Sequence, residues 1–268
     1  MKMKSLMRPA FVLSCALAVR TAAASDATIW TVGEPDGRPD GFALAPDGFR
    51  DFLARDFGYE DKFYLVGHSD PSTDFPYVLP GPADTWGGTW PTSGWRTHEV
   101  NILFGLDEQP DDDCLLAVDL ADYAKRFPPL VKVSVNGQDA WFRLNDPDDP
   151  TAAGRRYGQQ EPTVDTLSLT GRFERATPRR LEMPLRRGTL RKGGNTVHVT
   201  VLEGSWILFD RVALEGPSSV RPTQSEGLFV RDVAAAPYES DHDGKRVQPL
   251  LVNVEWLGAT PTLSVEID

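Results

Sequence analysis

Aromatic and polar residues suited to sugar binding are concentrated in one Gly- and Pro-rich segment, residues 74–98. Its members are Asp74, Tyr77, Trp86, Trp90, Trp95, Arg96 and His98. An indole or phenol ring can stack on the C–H face of a sugar, and Arg, His and Asp can bond its oxygens. The segment is therefore a candidate carbohydrate-binding loop. The alternative is that the same rings close one end of the protein core.

A second pattern imitates the nucleophile site of a serine hydrolase. Gly67, His68 and Ser69 follow a strand-like segment. The fifth position of the nucleophile-elbow motif is Pro71 instead of glycine, and no helical pattern follows it. We therefore interpret residues 69–72 as a surface turn, and we predict no catalytic residue.

The histidines do not have the spacing of a metal site. The four of them are scattered, at positions 68, 98, 198 and 242, and none shows the paired spacing typical of zinc ligands. His198 stands between Val197 and Val199. In a strand, alternate side chains point to opposite faces, so we expect His198 on the face opposite these valines.

Short strands are the elements that must position these residues. The chain has 268 residues, of which 23 are Gly and 22 are Pro, and this density of turn residues opposes long helices. Nine segments rich in β-branched, aromatic and Leu residues are predicted strands: residues 28–32, 62–66, 100–106, 115–120, 130–135, 140–144, 164–170, 196–202 and 206–214. Three more are predicted at residues 228–233, 247–256 and 262–267. The pattern predicts an all-β fold, a jelly-roll β-sandwich.

Turn signals and one helical pattern complete this prediction. An Asn-Gly pair at residues 136–137 predicts a tight hairpin, and a Glu-Gly pair at residues 203–204 predicts a second one. A short helix is predicted between Asp47, its expected N-cap, and Gly58, its expected end, because apolar residues between them recur at helical spacing.

The N-terminus has the pattern of a secretory signal peptide. Three basic residues precede an apolar run at residues 11–19, and residues 22–24 are alanines that suit cleavage. We predict a signal peptide over residues 1–24 and a secreted or periplasmic protein. The apolar run is too short to span a bilayer, so no membrane span is predicted. Removing Cys15 would leave Cys114 alone, which excludes an intramolecular disulfide.

Net charge excludes one class of partner. Cleavage after residue 24 removes four positive charges and takes the formal net charge from −11 to −15. A chain this acidic is not expected to bind nucleic acid through a general basic field. Residues 172–192 carry eight basic and two acidic residues, so this basic segment is a competing candidate site for acidic glycans.

Six segments carry a family pattern, in chain order. Residues 28–42 resemble a W-x-I-G-x-x-D-G-x-P-x-G-F opening, residues 63–67 a Y-x-V-G strand and residues 74–77 a D-F/W-P segment. A strand ending in V-N-G is matched at residues 131–137, and two closing strands are matched at residues 190–197 and 209–215. Together they resemble the C-terminal, carbohydrate-binding-like domain of rhamnogalacturonan lyases, polysaccharide lyase family 4.

The resemblance implies a domain organisation. It implies a galactose-binding-like jelly roll over residues 28–215. Residues 216–227 are polar, contain two prolines and lack periodicity, so we predict a linker there. Residues 228–268 are expected to form a partial β module, either the start of a second domain or strands that pack on the first.

The resemblance also implies a metal site. Jelly rolls of this type often hold a calcium ion where the first and last strands meet. Glu34, Asp36 and Asp210 are the acidic residues nearest those ends, which makes them candidate ligands of a structural calcium. No cofactor is required on this interpretation.

The function implied is non-catalytic carbohydrate binding within a polysaccharide-degrading system. In the family that this chain resembles, the residues that perform β-elimination lie on a separate catalytic domain, and we expect no counterpart here. The expected partners are a polysaccharide or oligosaccharide and a downstream catalytic domain. One alternative is a lyase acting on a uronic-acid-containing glycan, with Arg96, His98 and the basic segment as its polar groups. A structural or interaction sandwich preceding a glycosidase domain is the other.

Overall fold

The computed structural model describes residues 27–59, 62–88, 97–145, 167–223, 227–258, 260–262 and 264. Strands dominate these residues, and most of them belong to two sheets that enclose one apolar core. The predicted all-β sandwich is confirmed. No helix among the described residues is long and apolar enough to cross a membrane.

The first sheet has five strands. They are β1 (Ala27–Gly33), β3 (Val78–Leu79), β5 (Cys114–Tyr123), β8 (Arg179–Leu185) and β10 (Ile207–Gly216). Their order is β1-β10-β5-β8, and β3 pairs with the first residues of β10. All these pairings are antiparallel, and the central strand β10 places most of its residues in the core.

The second sheet has six strands. They are β2 (Phe63–Leu65), β4 (Glu99–Leu106), β6 (Leu130–Val135), β7 (Gln138–Arg143), β9 (Gly193–Glu203) and β11 (Pro222–Thr223). Their order is β11-β4-β9-β6-β7. The short strand β2 also pairs with β4, in parallel. Among the described strands, β7 pairs with β6 alone, so it lies at the edge of the sheet that they form.

Alternation of side chains decides which face of the second sheet meets the core. Val131, Val133 and Val135 of β6 are buried, and so are Val197 and Val199 of β9. Each buried Val contributes about 1.5–3 kcal/mol relative to an exposed one. The residues between them therefore point to the outer face, and His198 lies there as predicted, about three-quarters buried.

Of the two predicted hairpins, one is confirmed and one is wrong. Asn136 and Gly137 have φ of 50° and 83° and join β6 to β7. In contrast, Gly204 connects β9 of the second sheet with β10 of the first. A Cβ on Gly204 would lie 2.4 Å from the carbonyl oxygen of Pro128, so this crossing between sheets needs glycine.

The predicted helix between Asp47 and Gly58 is shorter than expected. Residues Gly48–Asp51 form one 3₁₀ turn, and Asp47 makes no side-chain cap. Turns continue to Gly58, whose φ of 81° ends the segment. The helical spacing of the aromatic residues reflects their common burial in the core instead of a regular helix.

One helix lies where a surface turn was predicted. It is α1 (Pro71–Asp74), a single turn capped by Asp70, whose side chain accepts a hydrogen bond from the backbone N–H of Ser72. The Ser69 hydroxyl accepts a hydrogen bond from the N–H of Leu65 at 3.0 Å. Ser69 therefore closes the end of β2, in agreement with the structural interpretation of this motif.

One predicted strand is wrong, and one observed strand was not predicted. The described part of the segment at residues 164–170 contains a 3₁₀ turn, Ser168–Thr170. Strand β8 lies instead in the basic segment, where Leu181, Met183 and Leu185 point into the core. Pro184 interrupts the expected strand pattern, but β8 is at the edge of its sheet, where proline is tolerated.

The segment predicted to be a linker is partly attached to the sandwich. Strand β11 pairs with β4, and Val220 is only 1% exposed. The N–H of Arg221 donates to the carboxylate of Asp107 at 2.9 Å. Residues 217–223 therefore follow the surface of the second sheet.

The C-terminal residues form two small β-ladders. One pairs β12 (Leu228–Ala235) with β15 (Leu250–Trp256), and the other pairs β13 (Ser240–His242) with β14 (Lys245–Val247). The β12–β15 ladder packs on the outer face of the second sheet through Phe229 and Leu257, which contact Phe63, Leu65 and Leu103. Thr262 and Ser264 are not in strands, and the rest of the predicted strand at residues 262–267 lies outside the described residues.

Candidate functional site

Tyr77 and His98 of the candidate loop lie in the core. Tyr77 is 0% exposed, and its hydroxyl donates to the carbonyl of Leu169 at 2.9 Å. Burial raises the pKa of Tyr77 above its ordinary value. His98 is also 0% exposed, with its ring nitrogens 3.1 Å and 2.5 Å from the carbonyl oxygens of Gly58 and Gly87. The proposed contact of these two residues with a surface ligand is therefore corrected to a structural role.

Trp86 packs on the same group of rings. Its indole lies edge-on to Phe49 at 5.0 Å and to Phe52 at 6.4 Å, and Phe52 in turn lies 5.4 Å from His98. We call Phe49, Phe52, Phe57, Trp86 and His98 the aromatic cluster. Trp86 is half-buried, so most of its apolar surface serves this packing.

The remaining residues of the candidate loop are only partly described. Asp74, half-buried, accepts a hydrogen bond from the N–H of Asp70 at 2.9 Å and so helps to close α1. Trp90, Trp95 and Arg96 lie outside the described residues. Among the candidates that are described, the structure therefore brings together Trp86 and His98, and it does so in the core.

A depression of about 260 Å³ lies where β1 ends beside β10. It is lined by Gly33, Glu34, Asp36, Arg38, Gly41, Phe42, Pro71 and Asp210. Asp210 is 7% exposed, and one of its carboxylate oxygens accepts hydrogen bonds from the N–H groups of Gly37 and Arg38, at 2.9 Å and 3.1 Å. Its carboxylate thus anchors the loop that follows β1.

Asp210 has an unusual protonation equilibrium. Burial raises its pKa to about 6, and the charges of Asp36 and Asp119 add to this effect. The two N–H donors act in the opposite direction but do not outweigh burial. A change of pH near 6 therefore changes the charge inside this depression.

The calcium site predicted at Glu34, Asp36 and Asp210 stays a prediction. Within the part of the chain that the structure describes, no three His, Cys, Asp or Glu side chains are placed so that they could hold a metal ion. The loop presents N–H groups to one carboxylate oxygen of Asp210, whereas a calcium ion there would need a shell of oxygens.

The basic segment is partly used in contacts within the protein. Arg180 forms ion pairs with Asp119, Glu182 and Glu215 at 2.8–3.2 Å. Arg191 donates to the carbonyl oxygens of Gly194 and Arg231, at 2.7 Å and 3.0 Å. Two of the eight basic residues therefore use their side chains for contacts within the protein.

A surface that the sequence analysis missed lies on the outer face of the second sheet. Trp141 of β7 is 58% exposed, while its neighbours Ala140 and Phe142 pack against the core. We define the open face as six of the outward side chains of β6, β7 and β9: Lys132, Ser134, Asp139, Trp141, His198 and Thr200. The signal that could have identified this surface is the alternation of side chains along β7, which places Trp141 on the face opposite Ala140 and Phe142.

Internal contacts order the polar groups of the open face. Lys132 and Asp139 form an ion pair at 3.0 Å. A hydrogen bond from Ser134, together with Lys132, lowers the pKa of Asp139. The Nδ1 atom of His198 lies 2.6 Å from the amide oxygen of Asn101 and 3.7 Å from the Glu99 carboxylate. His198 in turn lowers the pKa of Glu99 by hydrogen bonding.

The fold and these surfaces define an all-β sandwich with an exposed aromatic and polar face. Residues 28–214 match the family model described as CBM-like, polysaccharide lyase family 4, domain III. The chain belongs to this family and carries its carbohydrate-binding-like domain. No curated protein matches the chain.

Three solved structures have local similarity to the chain. The first is BtGH115A, a family GH115 4-O-methyl-alpha-glucuronidase with specificity for decorated arabinogalactans, at 11% identity and a TM-score of 0.27 over 45% of this chain and 13% of that one. Another is lmo2446 of Listeria monocytogenes EGD-e, in complex with glucose, magnesium and calcium. It has 17% identity and a TM-score of 0.28, over 56% of this chain and 10% of that one. The third is a ruminal GH26 endo-beta-1,4-mannanase, with 15% identity and a TM-score of 0.27, over 55% of this chain and 27% of that one.

These structural similarities are too low to indicate a function. The TM-scores are low, and the chain spans between about a tenth and a quarter of the length of each protein. The family assignment therefore rests on the match over residues 28–214.

Proposed function

We propose that this protein is an exported, non-catalytic module that binds a polysaccharide or oligosaccharide within a polysaccharide-degrading system. The observation that carries the proposal is the family match, which spans almost the whole sandwich. Surface chemistry supports it, because the open face combines an exposed indole with hydrogen-bonding groups. Stacking of rings and hydrogen bonds to hydroxyl groups are the two contacts that a sugar requires.

Binding is tested with the purified full chain on immobilised glycans and by isothermal titration. The panel includes rhamnogalacturonan, polygalacturonate, cellohexaose and mannohexaose. Saturable binding to at least one of them supports the proposal. Failure to bind any neutral or acidic glycan of the panel would contradict it.

The non-catalytic part of the proposal is supported by the positions of the groups that a lyase would need. β-Elimination needs a base and free cations near a uronic acid. His98 is buried against two carbonyl groups, and Arg180 is neutralised by three carboxylates. Incubation with polygalacturonate should therefore give no rise in absorbance from unsaturated uronides. A steady, protein-dependent rise would favour the lyase alternative.

Export is proposed from the pattern of residues 1–24. Expression of the full chain in a bacterial host should yield a product in the periplasm or medium whose first residue is Ser25. Recovery of the full-length chain from the cytoplasm alone would contradict export.

A second candidate function is an interaction with another domain, such as a catalytic one. The residues that favour it are large exposed apolar side chains within the C-terminal segment of residues 228–256: Val230, Val233, Tyr238, Val247, Leu250, Leu251 and Trp256. Exposed apolar surface of this kind commonly marks an interaction site. Sedimentation of the full chain tests whether this surface forms contacts, since self-association that Leu251→Ser weakens would place a contact there.

A further inference from the structure

We propose that the open face is the glycan-binding surface, that Trp141 is its stacking platform, and that its ligand is an uncharged oligosaccharide. This inference rests on the proposed function, because it names the surface and the ligand class of the same binding activity. It concerns residues that are separate from the loop at residues 74–98.

Trp141 has the geometry of a platform. It lies in the middle of an edge strand, it is 58% exposed, and it faces away from the core because Ala140 and Phe142 point inward. Its cross-strand neighbour on β6 is Lys132. Lys132 forms an ion pair at 3.0 Å with Asp139, which is on the same strand as Trp141. The ammonium group of Lys132 is therefore held beside the indole by this ion pair.

Polar groups continue from this ring across the sheet. The row that contains Trp141 runs through Lys132 and Thr200 to Glu99. A parallel row runs from Asp139 through Ser134 to His198. Neighbouring strands lie about 4.8 Å apart, so the two steps from β7 to β9 span about 10 Å, and the next step reaches Glu99 of β4 at the border of the open face. A surface of this length suits a short oligosaccharide better than a single ring.

The C-terminal ladder limits the open face on its far side. Phe229 of β12 covers the outer face of β2 and β4, where it contacts Leu103. A Cβ on Gly194 of β9 would lie 2.5 Å from the carbonyl oxygen of Val230, so the ladder approaches the sheet closely. The field of Arg231 contributes to the lowered pKa of Glu99, which places Arg231 near the end of the Trp141 row. The outer face therefore has a covered half and an uncovered half, and Trp141 lies on the uncovered half.

The charges on this face favour an uncharged ligand. Lys132 is neutralised by Asp139, and Arg231 by Glu255 at 2.7 Å. Glu99 keeps its negative charge readily, because its pKa is lowered. A uronic-acid chain would bring further carboxylates beside Glu99 and would have to compete with existing ion pairs for each cation. Hydroxyl groups can use the same donors and acceptors without that repulsion.

The test uses the full chain with Trp141→Ala, Trp141→Phe and the control Trp256→Ala. Trp256 is also exposed, at 44%, but it lies on β15, away from the open face. The probes are cellohexaose, mannohexaose and hexagalacturonate, measured by isothermal titration at low and high salt. Melting temperature is recorded for each variant, and Trp141→Phe provides a conservative change if Trp141→Ala unfolds.

We expect the wild-type chain and Trp256→Ala to bind a neutral probe with equal affinity. Trp141→Ala should weaken that binding about tenfold or more, as is typical when a central Trp is truncated, and Trp141→Phe should fall between them. Neutral binding should change little with salt, because it involves no net charge.

Three results would overturn the inference, and they are distinguishable. Wild-type affinity in Trp141→Ala would show that the glycan binds elsewhere, while leaving the proposed function intact. Binding of hexagalacturonate alone, weakened by salt, would refute the ligand class. Absence of binding to every glycan would refute the proposed function itself, and the inference with it.

Discussion

The aromatic cluster and the open face contain the same types of side chain, but they differ in how those side chains are satisfied. In the aromatic cluster, both ring nitrogens of His98 lie close to backbone carbonyls and Trp86 is packed on two phenyl rings. On the open face, Trp141 leaves more than half of its surface in solvent, and His198 is only partly buried. A side chain of a type that suits ligand binding is thus available to a ligand only where the fold has not already buried it. The comparison predicts large stability effects in the cluster and small ones on the open face.

His98→Ala should give the largest loss of stability. The substitution removes the hydrogen bond that the imidazole N–H donates to one of two buried carbonyl groups, and it opens a cavity beside Phe52. Together these effects should lower the free energy of unfolding by about 3–4 kcal/mol, measured by urea denaturation. His242→Ala is the control, since the His242 side chain is 79% exposed. Equal stability of the two variants would show that His98 does not hold the cluster together.

Asp210 extends the comparison to a buried carboxylate. Its pKa is raised from 3.8 to about 6, so the ionised form is less favourable in the folded protein than in the unfolded chain. Below about pH 4 the group is protonated in both states and has no effect. As the pH rises to about 6, the destabilisation grows to as much as about 3 kcal/mol.

The Asp210→Asn variant isolates this effect. Its free energy of unfolding should increase relative to wild type between about pH 4 and pH 6, by up to about 3 kcal/mol, and the difference should be constant above that range. Asp40→Asn, at an exposed position, should run parallel to wild type. A pH-independent difference between Asp210→Asn and wild type would contradict the shifted pKa.

Trp86→Ala distinguishes a core role from a binding role. Loss of the contacts with Phe49 and Phe52 should lower the free energy of unfolding by about 2 kcal/mol, less than for a fully buried Trp because the ring is half-buried. Glycan affinity should be unchanged. Weaker binding at unchanged stability would return the binding site to the loop at residues 74–98.

Trp141→Ala should give the smallest change in stability. The ring is 58% exposed on an edge strand, so the free energy of unfolding should stay within about 0.5 kcal/mol of wild type. Thermal and urea denaturation measure this directly. A loss as large as that of Trp86→Ala would mean that Trp141 is a packing residue, and the contrast between the two regions would fail.

The strands were largely predictable because they depend on local patterns. The alternation of Val131, Val133 and Val135 identified β6 and its buried face, and the Asn-Gly pair identified the turn that follows. His198 was placed on the correct face for the same reason. The family resemblance was confirmed over residues 28–214, since its landmarks lie mainly in these strands and turns.

What the sequence by itself determined is therefore the strand pattern, its buried faces and the family. Only the tertiary structure decided which functional groups are available. Sequence proximity suggested one site for Tyr77, Trp86 and His98, but the packing of distant residues such as Leu169 and Phe52 places Tyr77 and His98 in the core. In contrast, Trp141, Lys132 and His198 come together through strand pairing between residues far apart in the chain. A side chain's type is local information, whereas its burial and partners depend on which strands become neighbours.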